Sequence, residues 1–498
     1  MIMKKKYYIG LDQGTTGTTT LLLDETWNVV ARGYKEHTQY YPKPGWVEHD
    51  PLELWQRVME SMSMALSEGG VSAEDVACIG IDNQGETVML WDKVTGAPVY
   101  NAIVWQDRRM ARYADELTTE YGELIREKTG LMADSYFSGP KIKWIIDNVD
   151  GVKEKIKEGR VLAGTLDSWL IWKMTHGKVH VTDCSTASRT MMFNIHTLKW
   201  DEEILAELDI PACMLPEPCP SSMVFGESSP LIFGGPVKIA GAAGDQQSAL
   251  FGQACFKEGE AKNTYGTGGF MLVNTGETPV ESRNGLLTTI AWGLDGKVCY
   301  ALEGSVFVSG ATIQWLRDEV RILDNAAESE KMARSVDDTA GAYIVPAFTG
   351  LGAPYWDPYA RGALMGLTRG VNKNHIVRAA LESMAYQTYD LMNSMTEDMG
   401  YEIKTFKVDG GACANDFLLE FQSDIINMPL YRPECIETTS LGAAYLAGLA
   451  TGYWKNTDDI ISNWQINNIF RPDMDEERRQ TLIDGWHRAV KCTLGWAK

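Results

Sequence analysis

An α/β fold in two halves that share one crevice is what this sequence predicts, and three observations predict it. Strand-type runs alternate with helical ones along the chain. Its 498 residues exceed the length over which one hydrophobic core usually keeps growing. Two glycine turns, Asp12-Gln13-Gly14-Thr15-Thr16 and Asp409-Gly410-Gly411-Ala412, each follow a short β-type run near opposite ends of the chain. Pairing those turns predicts two halves closing on one nucleotide. Small residues let backbone N–H groups approach phosphate oxygens, and an aspartate beside such a turn holds Mg2+ directly or through its waters. Taken singly, either turn is equally an ordinary loop.

The elements follow in order. Tyr7 to Leu11 and Thr18 to Leu23 read as strands around the first turn, then a helix spans Leu52 to Ser67 and a buried strand Val76 to Asp82. Between Asn101 and Ser228 the pattern loosens into helices, including Gly139 to Asn148 and Leu166 to Thr175, with tryptophans at 105, 144, 169 and 172. Insertions of this kind shape substrate pockets, and indoles stack on the C–H faces of polyols. Val237 to Ala240 reads as a strand delivering Gly241-Ala242-Ala243-Gly244-Asp245-Gln246-Gln247, which sets a carboxylate at an open sheet end. The second half restarts near Glu260 with strands Ala261 to Tyr265, Phe270 to Asn274 and Thr405 to Val408, and helices Asn374 to Met395 and Ser440 to Thr451. The boundary is expected near Gln253, giving domains 1–253 and 254–498.

Hydrophobic residues at 44% suffice for two cores, and a formal net charge of −21 argues against a nucleic-acid or anionic-membrane partner. Nine cysteines without a Cys-x-x-Cys pair and seven histidines without ligand spacing predict reduced thiols and no structural zinc. No apolar run is long enough to span a bilayer or serve as a leader, so a cytoplasmic protein is expected.

Read together, Asp12-Gln13-Gly14-Thr15-Thr16, Tyr41-Pro42-Lys43-Pro44-Gly45-Trp46-Val47-Glu48-His49-Asp50, Gly244-Asp245-Gln246-Gln247, Tyr265-Gly266-Thr267-Gly268 and Asp409-Gly410-Gly411-Ala412 resemble one family. It is the FGGY carbohydrate kinases, and the glycerol kinase branch most closely. The likeness runs from about Tyr7 to Trp496 and includes Tyr136-Phe137-Ser138-Gly139 and Met192-Phe193-Asn194-Ile195-His196-Thr197-Leu198. It implies two actin-like (RNase H-like) ATPase domains with an interdomain cleft, ATP in that cleft, and a small polyol held mostly by the first domain. The implied reaction is ATP-dependent phosphorylation of a terminal hydroxyl, and a dimer or tetramer is the usual assembly.

On this resemblance Asp245 is the general base for the attacking hydroxyl, although its place also suits a helix N-cap. Asp12 would organise Mg2+, Thr15 and Thr16 would meet the phosphates, and Thr267 would serve them from the second domain. Gly310, Gln314, Gly411 and Asn415 match positions lining the nucleotide site; for the glycines a turn or helix contact is the alternative, and Asn415 is equally a helix cap. Glu86, Trp105, Tyr136, Asp245, Gln246 and Phe270 match the residues that grip the polyol.

Three departures stand out. Where the branch reads Asn-Gln-Arg-Glu-Thr, this chain has Asn83-Gln84-Gly85-Glu86-Thr87. Losing that charged donor should weaken glycerol by roughly 1.5–3 kcal/mol and open room for a longer chain. The expected acceptor is therefore a tetritol or pentitol such as erythritol, threitol or xylitol, with Asp82 accepting from the added hydroxyls or simply ending a strand. Thr19 stands where a basic residue usually approaches the phosphates, and Lys4, Lys5 and Lys6 precede the strand and so do not replace it. The segment 233–238 lacks the arginine used by fructose-1,6-bisphosphate-sensitive relatives. The alternatives are a true glycerol kinase forming glycerol 3-phosphate and a polyol-binding sensor without turnover. An actin-like or chaperone-type ATPase is disfavoured, since no separate peptide-binding β domain is evident.

Overall fold

The computed structural model describes residues 6–498; Lys4 and Lys5 lie outside the described residues. Two large sheets organise the chain. The first has the strand order Ser222–Glu227, Lys238–Gly244, Val76–Asn83, Tyr7–Gln13, Gly17–Leu23, Val29–Glu36. The second runs Leu287–Leu294, Lys297–Val306, Gly269–Gly276, Glu260–Tyr265, Thr405–Asp409, Leu430–Pro433, Ile466–Phe470.

The two sheets repeat one plan. In each, a central strand (Tyr7–Gln13, Glu260–Tyr265) pairs antiparallel with its hairpin partner on one side and parallel with a later strand on the other. A further parallel strand follows on that side, Lys238–Gly244 in the first sheet and Leu430–Pro433 in the second. This duplication corrects the pairing of turns read from the sequence. The Gly14-Thr15-Thr16 turn closes the first hairpin, so its counterpart is Gly266-Thr267-Gly268. The Gly410-Gly411 turn follows a parallel strand and corresponds to Gln84-Gly85. Similar glycine-rich composition concealed different connections.

Local chemistry accounts for the elements. Helix Pro51–Gly69 starts where Asp50 accepts from the Leu52 N–H and stops at Gly70, whose φ of 63° breaks the ladder. The strand Lys238–Gly244 continues through Gly241-Ala242-Ala243-Gly244, four residues beyond the Ala240 end expected from the sequence. Its small residues are required because helix Thr438–Ala450, from the second half of the sequence, lies directly on the first sheet. At Gly80 a Cβ would stand 1.8 Å from the carbonyl oxygen of Ala443, and at Gly442 one would stand 1.9 Å from that of Ser248. The second contact joins this helix to Asp245–Gly252, so backbone meets backbone where the candidate base begins its helix. Leu441, Ala444, Tyr445 and Leu446 complete the interface against Tyr8, Trp27, Leu250 and Phe251.

An insertion carries a small sheet of Glu48–His49, Ala102–Ile103, Val88–Asp92 and Val161–Thr165. It explains the Tyr41 to Asp50 motif. The Arg109 guanidinium sits 3.8 Å from the Trp46 ring centroid and 4.4 Å from that of Trp144. It also pairs with Glu48 at 2.7 Å and Asp107 at 2.8 Å. Asp107 in turn accepts from the Val47 N–H at 2.7 Å, which pins the loop that presents Trp105. All nine cysteines are reduced, with no disulfide among them. Among the described residues no helix is long and apolar enough to cross a membrane.

Candidate active site

Parallel strands of the first sheet end together, and their ends supply the acidic centre. Asp12 lies near the end of Tyr7–Gln13, directly across the ladder from Asp82 in Val76–Asn83. Asp245 follows the neighbouring strand and opens helix Asp245–Gly252. The cap position belongs to Gly244, so Asp245 is not the N-cap its sequence also permitted. Its carboxylate accepts from the Gln246 N–H at 2.8 Å and from the Gln246 amide at 3.3 Å. Burial, reinforced by Glu86, pushes its pKa up to about 6, against the pull of Lys262 and Gln246.

Burial likewise pushes Asp12 up to about 7, against a hydrogen bond from Asp82, while Asp245 and Glu437 raise it and Arg32 lowers it. Asp82 is driven well above the carboxylate range by burial and by Asp12, and its oxygens meet no nitrogen or hydroxyl donor among the described residues. Adjacent desolvated carboxylates of this kind fit a divalent cation. No group of three or more His, Cys, Asp or Glu side chains among the described residues is arranged to hold a metal unaided. A cation there would share its shell with phosphate oxygens, as Mg2+ does.

The residues predicted for the polyol come together around an aromatic corner. Trp105 lies edge-on to Tyr136 at 5.7 Å and to Phe270 at 6.4 Å. Its indole N–H donates to Thr15 Oγ1 at 2.9 Å, which joins this corner to the first glycine turn. Glu86 is buried and bound by Arg189, and Gly85 faces the Arg189 stem, 3.6 Å from where a Cβ would sit. Gln246 accepts from Lys262 Nζ at 2.5 Å, and the same ammonium reaches Thr264 at 2.8 Å and the Phe270 carbonyl at 3.4 Å.

The predicted nucleotide residues form a second group on the later half. Thr267 is exposed in the hairpin turn, and its carbonyl accepts from the Ser309 and Ala311 N–H groups, while the Gly310 N–H reaches the Gly266 carbonyl at 3.1 Å. Gly310 opens the helix that carries exposed Gln314. Gly411 is exposed, and a Cβ there would meet no described atom within 4 Å. Asn415 caps the helix Asp416–Ile426 by accepting from the Leu418 N–H at 3.0 Å, and its amide donates to Ser329 at 3.2 Å. Both Thr16 and Thr267 lie exposed at the surfaces of their turns.

Sequence reasoning missed Arg189, Lys262, Glu303 and Arg32. Arg189 was legible in one respect: it is the lone charge in the run from Cys184 to Ile195. Lys262 and Glu303 sit in ordinary-looking strands, and only tertiary folding brings them to Gln246 and Arg189. Arg32 is the basic group acting on Asp12 where Thr19 supplies none; it pairs with Glu437 at 2.9 Å.

Comparison with known proteins identifies the family. Residues 7–252 match the N-terminal domain, and residues 261–451 the C-terminal domain, of the FGGY family of carbohydrate kinases. Glycerol kinase 1 of Clostridium tetani (strain Massachusetts / E88) is 59% identical over 494 residues, 99% of each chain. A glycerol kinase of Agathobacter rectalis is 58% identical over the same length and shares. Among solved structures, Plasmodium falciparum glycerol kinase with ADP superposes with a TM-score of 0.92 at 38% identity, covering 99% of both chains. The fold alone is shared with xylulose kinase from Lactobacillus acidophilus, at a TM-score of 0.87 and 22% identity over 98% of each chain. On these matches to both halves, the chain belongs to the FGGY family of carbohydrate kinases and is a glycerol kinase-like, ATP-using phosphotransferase.

Proposed function

We propose that this enzyme phosphorylates glycerol at a terminal hydroxyl, giving glycerol 3-phosphate and ADP. The observation that carries the reading is near-complete alignment, at 59% identity, with a curated glycerol kinase. The larger tetritol or pentitol expected from Gly85 has less support. A Cβ at that glycine would stand 3.6 Å from the Cγ of Arg189, so the aliphatic stem of another arginine already packs beside position 85.

Asp245 takes the proton of the attacking hydroxyl as the new O–P bond forms and the bond from the γ-phosphorus to the β-bridging oxygen breaks, leaving ADP. A carboxyl held near pH 6 is ionised at neutral pH yet basic enough to share a proton in the transition state. Trp105, Tyr136 and Phe270 wall the polyol, and Glu86 and Gln246 accept or donate to its hydroxyls. Thr15, Thr16 and Thr267 meet the phosphates, with Gly310, Gln314, Gly411 and Asn415 along the nucleotide. Asp12, with Asp82 beside it, would hold Mg2+, which would supply neutralisation of phosphate charge. The division of labour falls at about Gln253, between a polyol-holding first domain and a second domain that covers the nucleotide.

Steady-state kinetics with ATP over glycerol, erythritol, threitol, xylitol, ribitol and arabinitol test the proposal. Glycerol should give the highest kcat/KM, and a tetritol or pentitol exceeding it about ten-fold would overturn the assignment. Asp245→Asn should lower kcat by roughly 10²–10⁴-fold, the range for a lost general base. Retained turnover in that variant would remove Asp245 from the chemistry.

A further inference from the structure

Arg189 is 2% exposed, and its surroundings are those of the polyol corner. Nε donates to Glu86 at 2.7 Å and Nη2 donates to Glu303 at 2.9 Å. Nη1 has no hydrogen-bond partner among the described residues. The guanidinium carbon lies 5.9 Å from the Tyr136 ring centroid, and the stem passes Gly85. Two carboxylates from separate halves of the chain therefore lock the guanidinium plane, which fixes the direction of the remaining N–H pair. A buried charged donor left without an acceptor is costly in the folded protein, and a ligand hydroxyl relieves that cost.

We infer that Arg189 reads the acceptor's distal hydroxyl, supplying through Nη1 the charged donor that Gly85 lacks. The inference rests on the polyol-kinase reading above. Asp245 faces the hydroxyl that reacts, whereas Glu86, Gly85 and Arg189 gather at the corner formed with Tyr136. Arg189 thus becomes a specificity-determining residue for the far end of the alcohol, and its tie to Glu303 makes the second half of the chain part of the same recognition.

Propane-1,2-diol, which lacks the distal hydroxyl of glycerol, isolates the contact. The wild-type enzyme should favour glycerol over this diol in kcat/KM by about thirty-fold, the scale of a lost hydrogen bond to a charged group. Arg189→Lys keeps a cation for Glu86 and Glu303 but loses the free fork, and should bring that ratio within about three-fold, chiefly by raising KM for glycerol. A purely structural role would lower both substrates alike, and an unchanged ratio overturns the inference. Thermal-shift titration of each protein with glycerol and with the diol, in the absence of ATP, gives a binding readout. If the wild type phosphorylates neither alcohol, the functional reading falls, while a glycerol shift that Arg189→Lys abolishes and a diol shift that it spares still support the contact.

Discussion

The base role proposed for Asp245 carries a pH prediction, read at saturating Mg2+ so that Asp12 does not contribute. With the folded pKa near 6, kcat/KM should fall about ten-fold per pH unit below that value and level off above it, as one-proton titration of the free enzyme requires. A profile flat down to pH 5 would show that this carboxylate does not act as the base. Asp82 makes the complementary stability prediction. Its folded pKa is raised above the unfolded value, so ionisation penalises the native state increasingly as pH rises above about 4. Asp82→Asn should therefore melt at a higher temperature than the wild type in metal-free buffer, with an advantage larger at pH 8 than at pH 5. An advantage that shrinks toward alkaline pH would contradict the assigned direction.

Among the elements, the pair of helices Asp245–Gly252 and Thr438–Ala450 is the most demanding. A methyl group at Gly80 or Gly442 would have to displace backbone, not a flexible side chain, since the nearest atoms are the carbonyl oxygens of Ala443 and Ser248. Gly442→Ala should cost about 1–3 kcal/mol or more, the usual scale of overpacking, read as a lower denaturation midpoint at unchanged slope. The same pair shows what the sequence revealed. Helix Ser440 to Thr451 was legible from composition, and Asp245 from its motif, but their contact joins residues far apart in the chain. Likewise the two glycine turns were visible as turns, yet only the hydrogen-bond ladders reveal that Gly266-Thr267-Gly268, not Gly410-Gly411, is the partner of the first. Arg189 and Lys262 escaped for the same reason. A lone cation in a strand or short loop has no periodicity, and its meaning lies in the carboxylate or amide that folding brings to it.

For the molecule as a whole, ligands acting on opposite sides of the crevice should report through global stability. Mg2+–ADP at a hundred times its Kd should add about 2.7 kcal/mol to the unfolding free energy, measured as a rise in the thermal midpoint. Absence of any shift at saturating nucleotide would remove the nucleotide from the site. The indole of Trp105 gives this crevice its most practical consequence. By donating its N–H to Thr15 while its ring faces Tyr136 and Phe270, it makes one side chain the mechanical neighbour of both sites proposed for the reactants. Anyone re-engineering the enzyme toward unfamiliar alcohols should thus leave that tryptophan alone and work from the opposite wall, because trimming it would loosen the Thr15 turn proposed to cradle phosphate along with the aromatic corner it lines.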